Sequence, residues 1–257
     1  MLRAAVAVAS ALLVLFIAVP LASLYAHVAP GRFAVTIVSA PALAALRISL
    51  VTTAASLALT LALGTPLAYL LARGRFAGRG LVDALVDLPI VVPPAVAGLA
   101  LLFVFGKFGV AGPALGALHV RIAFTTFAVV LAQLFVGAPF YVRAARAGFS
   151  AVDRVYEEAS ATLGMGPLRT FVRVTAPLAL PALAGGAVLA WARALGEFGA
   201  TIMFAGNLQG VTQTLPLAVY LGLESGDLDL AAALAVVLVT IALAVVVAAR
   251  VLERRAA

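Results

Sequence analysis

The sequence predicts an all-α integral membrane protein with six transmembrane helices, and three observations carry that prediction. Hydrophobic residues make up 65% of the 257 and charged residues 11%, whereas about a quarter of a soluble domain is charged; mean hydropathy is +1.20. Five charge-free runs reach the roughly 20 residues needed to cross about 30 Å of hydrocarbon, and a sixth does so with Arg193 and Glu197 inside it. Backbone polar groups in lipid must be satisfied internally, and no stretch shows the roughly ten-residue alternation of a membrane barrel, so the spans are helices.

The first run, residues 4–26, follows Arg3 and ends near the small pair Ala22 and Ser23, as a cleaved leader would. Its length exceeds the roughly 7–15 residues of a leader's apolar region, so it reads as a retained helix. The second, 48–72, stops before Arg73, Arg75 and Arg79. The third, 88–106, holds Pro89, Pro93 and Pro94. Prolines kink a helix, and the carbonyls freed beside the kink are able to line a path. The fourth run is 122–142, the fifth 178–204 with Arg193 and Glu197 inside, and the sixth 230–249. Residues 1–257 read as one membrane domain, without internal repeat, low-complexity tract or linker. An inverted repeat would pair the proline-rich third span with a second broken segment, and none is evident in the sequence.

The Lys/Arg bias of the short loops sets orientation. With both termini on one side, that side holds Arg3, Arg73, Arg75, Arg79, Arg143, Arg146, Arg154, Arg169, Arg173, Arg250, Arg254 and Arg255, which is 12 of 17 basic residues. The other side keeps Arg32, Arg47, Lys107 and Arg121. Both termini are therefore expected in the cytoplasm. Segment 206–229 agrees, with no Lys or Arg and with Glu224, Asp227 and Asp229.

The absence of cysteine and the two remote histidines, His27 and His119, exclude disulfide scaffolds, thiolate nucleophiles and Cys/His metal sites. The net charge of +7 is scattered singly, with no aromatic-basic stripe, which argues against nucleic acid as a partner. The sole lysine, Lys107 in FGKFG, lacks the first glycine and the hydroxyl residue of a phosphate-cradling loop, so the chain carries no ATPase motif.

The longest segment on the expected cytoplasmic side, 143–175, reads as structure rather than linker. Ser150 with Asp153 three residues on has the form of a capping box, and Gly164 is placed to end a helix in a left-handed turn. Pro167 suits the first position of a second helix. The short helix, within a loop of 150–175, puts Val155, Ala159, Thr162 and Leu163 on one face and Arg154, Glu157, Glu158 and Ala161 elsewhere. Two readings follow: a solvated loop resting on the membrane, or a small-residue face docked in a groove of another protein.

Glu158-Ala159-Ser160, three residues, Gly164, nine residues and Val174-Thr175-Ala176-Pro177 resemble the EAA loop of ABC importer permeases, E-A-A, x3, G, x9, I-x-L-P, with Ser160, Val174 and Ala176 as departures. DALVDLPIVVPPAVAG (83–98), RALGEFGATIMFAGN (193–207) and QTLPLAVY (213–220) are similar to the molybdate/tungstate permease family, with sulfate permeases as near relatives. The resemblance runs from the second span to the last external loop. It implies a type I ABC importer permease architecture, in which Glu157, Glu158, Ala159, Ser160, Gly164 and Pro177 couple the chain to an ATPase. It further implies a second copy of the chain, two cytoplasmic ABC ATPase subunits, which carry ATP and Mg, and an extracytoplasmic oxyanion-binding protein. No cofactor is expected in this chain.

Arg193 and Glu197 lie within a span, where a charge at mid-bilayer costs about 2.5–3.5 kcal/mol and faces a bundle interior or aqueous cavity. At 1.5 Å per residue from Leu180 they stand about 20 and 26 Å in, on a helical stripe with Ala200 and Phe204. Two roles stay open. The pair neutralises itself, with Gly196 and Gly199 admitting close neighbours, or Arg193 supplies positive potential beside an anion path that binds its cargo weakly. Pro93 and Pro94 join them as candidate path residues. A sulfate-type permease, and an ion-coupled secondary transporter using Arg193 and Glu197 as a relay, are the alternative functions; an intramembrane enzyme lacks a nucleophile, base or metal constellation. All of these readings place the chain in a cytoplasmic membrane, among lipid.

Overall fold

The computed structural model describes residues 2–28 and 30–256, with side chains described apart from those of 30, 32 and 249–256. Arg32, Arg250, Arg254 and Arg255 of the charge balance lie outside the described side chains. The chain opens with α1 (Leu2–His27), none of whose residues is buried, its Tyr25 hydroxyl 2.9 Å from that of Thr240. A short α2 (Pro30–Ile37) precedes α3 (Ala40–Arg73), which starts at Ser39, whose hydroxyl accepts from the Ala42 N–H. Next come α4 (Arg79–Val91), α5 (Pro94–Phe105), the single turn α6 (Gly112–Ala117) and α7 (Thr126–Ala151), capped by Thr125. The loop helices α8 (Arg154–Thr162) and α9 (Pro167–Thr170) run through a π turn, Phe171–Thr175, into α10 (Ala176–Leu195). The chain closes with α11 (Gly199–Phe204), α12 (Leu215–Glu224) and α13 (Leu228–Ala256).

Among the described residues five helices are long and apolar enough to cross a membrane, or six if the bent pair α4 and α5 forms one span. Two expected spans are not single helices. The run 88–106 is split at Pro93, and its halves meet at 117°. The reason is the double proline: Val92, next to a proline, is pushed to extended backbone at ψ 129°, and Pro94 restarts a helix at its first turn. The run 178–204 breaks after Leu195, so residues 193, 197, 200 and 204 do not share one continuous stripe. A second span is therefore broken, where sequence reading expected one continuous helix.

The core is the packing of α3, α7 and α10. Lipid tails are as apolar as side chains, so close approach rather than hydrophobic transfer holds such helices together. A Cβ at Gly186 would stand 2.7 Å from Ala144 Cβ, and one at Gly148 2.5 Å from Ala182 Cβ, so α7 and α10 meet where those side chains are missing. Two buried hydroxyls on α3 bond within their own helix, Thr52 donating to the Ile48 carbonyl at 2.8 Å and Thr53 to that of Ser49 at 2.7 Å, while the Ser49 hydroxyl accepts from the Leu215 N–H of α12 at 2.7 Å. Thr65 reaches across to the Tyr141 hydroxyl at 2.6 Å.

Candidate functional site

The loop between α7 and α10 is built from a cap, a glycine and a proline. α7 runs on through Ser150 to Ala151, and it is Asp153 that caps α8, accepting from the Val155 N–H at 3.0 Å. Ser150 is thus not the cap: both residues suit the position, and the longer α7 absorbs the first. Gly164 follows α8 with φ +79°, a left-handed conformation open to glycine at no steric cost. Pro177 lies in the first turn of α10 and is exposed. Its missing N–H and bulky ring disfavour an ordinary turn before it, and the π turn, in which Ala176 N–H bonds the Phe171 carbonyl, stands there.

α8 divides the candidate coupling residues into two sets. Glu157 and Ser160 turn inward: Glu157 is ion-paired with Arg73 at 3.2 Å, and the buried Ser160 hydroxyl bonds that of Thr170 at 2.7 Å. Glu158, Ala159 and Gly164 stay exposed. Around them lies an uncovered apolar surface in which Val155 is 60% and Leu163 79% exposed, continued by Leu168 and Val172. The expected face of Val155, Ala159 and Leu163 is therefore the outward one.

The second cluster forms where the two broken spans cross. A Cβ at Gly98 would stand 2.5 Å from the Ala200 carbonyl oxygen, and one at Gly199 2.9 Å from Pro94 Cβ. The structure thus brings the Pro93–Pro94 break against the 196–198 break. Arg193 Nη1 lies 2.7 Å from Glu197 Oε2, while Glu197 Oε1 accepts from the Ala200 N–H at 2.8 Å. One carboxylate therefore staples the end of α10 to the start of α11, supplying the acceptor that a helix N-terminus lacks. The Glu197 side chain is 1% exposed and that of Arg193 29%, so the positive partner alone reaches an open surface.

A cleft of about 310 Å³ lies between α3, α4 and α7, lined by Gly64, Leu85, Pro89, Phe135 and Pro139 among others. Its lining is apolar apart from Thr60, so nothing in it meets an anion. No group of His, Cys, Asp or Glu able to hold a metal occurs among the described residues. Sequence reading missed three partners: Arg73, and the Arg146–Asp83 and Arg143–Asp87 pairs that clamp α4 to α7. The signal for the last two was the i, i+4 spacing of Asp83 and Asp87 opposite arginines three apart, which puts each pair on one helix face.

A family model described as "Binding-protein-dependent transport system inner membrane component" matches residues 64–257. The molybdenum transport system permease protein ModB of Mycobacterium bovis is 45% identical over 233 residues, covering 91% of this chain and 88% of that protein. The molybdate/tungstate transport system permease protein WtpB of Pyrococcus abyssi is 39% identical over 195 residues, 75% of this chain and 73% of that one. Among solved structures, a bacterial ABC transporter that imports the acidic polysaccharide alginate superposes with a TM-score of 0.79 at 18% identity, over 99% of this chain and 95% of that one. That likeness is one of fold.

Proposed function

The chain belongs to the family of binding-protein-dependent transport system inner membrane components, and from that premise we propose that it is the membrane subunit of an ATP-driven importer of molybdate or tungstate. The observation that carries the substrate is the 45% identity sustained along 88% of a molybdenum permease. The chain is a multi-pass inner-membrane permease component rather than an enzyme, and ATP is hydrolysed on separate subunits.

The uncovered apolar surface of α8, with Glu158, Ala159 and Gly164 on it, is the seat for a cytoplasmic ATPase. Two copies of the chain enclose the path between them, each carrying one ATPase. An extracytoplasmic binding protein selects the oxyanion and delivers it. Closure of the ATPases on ATP draws the two α8 helices together and turns the cavity outward; hydrolysis resets it. Arg193, the partly open member of its pair, faces that cavity near the crossing of the broken spans, and Glu197 keeps its charge from trapping a dianion.

Hydrolysis by the purified complex tests the substrate. Binding protein loaded with molybdate or tungstate is expected to stimulate it, and sulfate is not. Stimulation by sulfate alone would make this the sulfate-type permease instead. Orientation is tested on the cysteine-free chain with single cysteines at Gly78 and Gly210, where a Cβ would meet no atom within 4 Å and the left-handed backbone, at φ +83° and +75°, costs roughly 1–2 kcal/mol. In intact cells an impermeant thiol reagent is expected to label position 210 and spare 78. The opposite pattern would invert the topology.

A further inference from the structure

Arg73 closes α3 outside the loop motif and the proline-rich span, yet its side chain is only 13% exposed. Its Nη2 donates to the carbonyl of Val152, the C-cap of α7, at 2.7 Å, and to Glu157 Oε1 on α8 at 3.2 Å. The same Oε1 accepts from the buried Thr175 hydroxyl at 2.8 Å, where the π turn opens α10. One turn back along α3, Tyr69 makes the same connections through rings. Its centroid is 5.5 Å from Phe149 of α7 and 5.1 Å from Phe171 of the π turn, both edge-on. An ionic layer and an aromatic layer thus tie the same three helix ends together, and the ionic layer also takes in α8.

We propose that the Arg73–Glu157 pair is a transmission joint, in which Arg73 is a positioning residue that makes α8 move as one body with the ends of α3, α7 and α10. The proposal rests on the reading that α8 seats in an ATPase. Towards α10 chain connectivity alone transmits poorly, because α8 leaves through Gly164, Met165 and Gly166, two of them glycines free to turn. The Ser160–Thr170 bond fixes α8 to α9 only. Charge-assisted bonds shielded from water resist displacement more than neutral ones. From the joint, α10 leads directly to Arg193 and the 196–198 break.

The test uses the full complex in proteoliposomes, with anion uptake and ATP hydrolysis read on one sample. Arg73→Met is expected to hydrolyse ATP while anion moved per ATP falls about tenfold or more, the scale of a lost hydrogen bond to a charged group. Arg73→Lys, which keeps the charge and one contact, is expected to lie between. In the cysteine-free chain, Arg73→Cys with Glu157→Cys bridged by a short reducible bifunctional thiol reagent should restore the ratio, and cleaving the bridge in the assembled complex should abolish it again. A structural role alone would lower the amount of complex and leave the ratio unchanged; that result, or no change on cleaving the bridge, overturns the joint. Where Arg73→Met does not assemble, the ratio before and after cleavage decides. A wild-type complex that fails to bind the ATPase would instead remove the reading beneath the proposal.

Discussion

Arg193→Met is expected to cost about 3–5 kcal/mol of stability, because it strands a buried carboxylate whose cation has gone. Glu197, 1% exposed, would keep only the Ala200 N–H as a donor. Glu197→Gln is expected to cost less. The guanidinium it leaves behind is 29% exposed and so less enclosed than the carboxylate, and the glutamine oxygen still accepts from Ala200. The double variant is expected to recover most of the loss, since removing both members of a buried pair is often nearly neutral. Folded complex extracted in detergent and ATP-dependent uptake, measured on the three variants, separate the two roles. A staple alone predicts that the double variant recovers yield and uptake together. A contribution of Arg193 to the anion path predicts recovered yield without uptake. Additive losses in yield would mean that the two charges act independently, against the 2.7 Å contact.

Composition made the membrane helices legible, because charge-free apolar runs of span length belong in a bilayer. Breaks inside them were legible only in part. Pro93 and Pro94 together announced a bend, since the residue before a proline is pushed out of the helical region, whereas the single prolines Pro66, Pro139 and Pro181 stay inside helices; the 117° angle, set with α5 packed against α11, was not legible. The break at 196–198 left no comparable mark. Gly185 and Gly186 lie inside α10 without breaking it, so Gly196 alone predicts nothing; the break coincides with a carboxylate capping Ala200 and a proline turn lodged against Gly199. The loop motif located α8 and its left-handed end at Gly164, because cap and turn chemistry are local. Which of its residues face inward was not local. Glu157 finds Arg73 at a separation of 84 residues and Thr175 at 18, pairings that exist only once α3, α7 and α10 are assembled. The sequence motif therefore grouped residues that the fold divides between anchoring α8 and presenting it.

Gly164→Leu is expected to slow uptake about five- to thirtyfold while leaving insertion intact. A Cβ added at Gly164 meets nothing within 4 Å, so no contact opposes the branch point. The cost is conformational: at φ +79° a residue with a Cβ loses roughly 1–2 kcal/mol, which corresponds to that factor. The strain is relieved by turning α8 and α9 relative to each other, which misaims the surface of Val155, Ala159 and Leu163 and should also reduce recovery of the ATPase with the chain.

The most direct measurement of the whole account is the initial rate of molybdate uptake into proteoliposomes holding the complete complex and its binding protein, with ATP supplied and all ion gradients collapsed by ionophores. The account predicts that the wild-type complex transports under ionophore, stops when ATP is withdrawn, and is slowed by Gly164→Leu in proportion to the ATPase lost. Uptake that survives without ATP and collapses with the ion gradients would contradict it, and would make Arg193 and Glu197 the relay of an ion-coupled transporter.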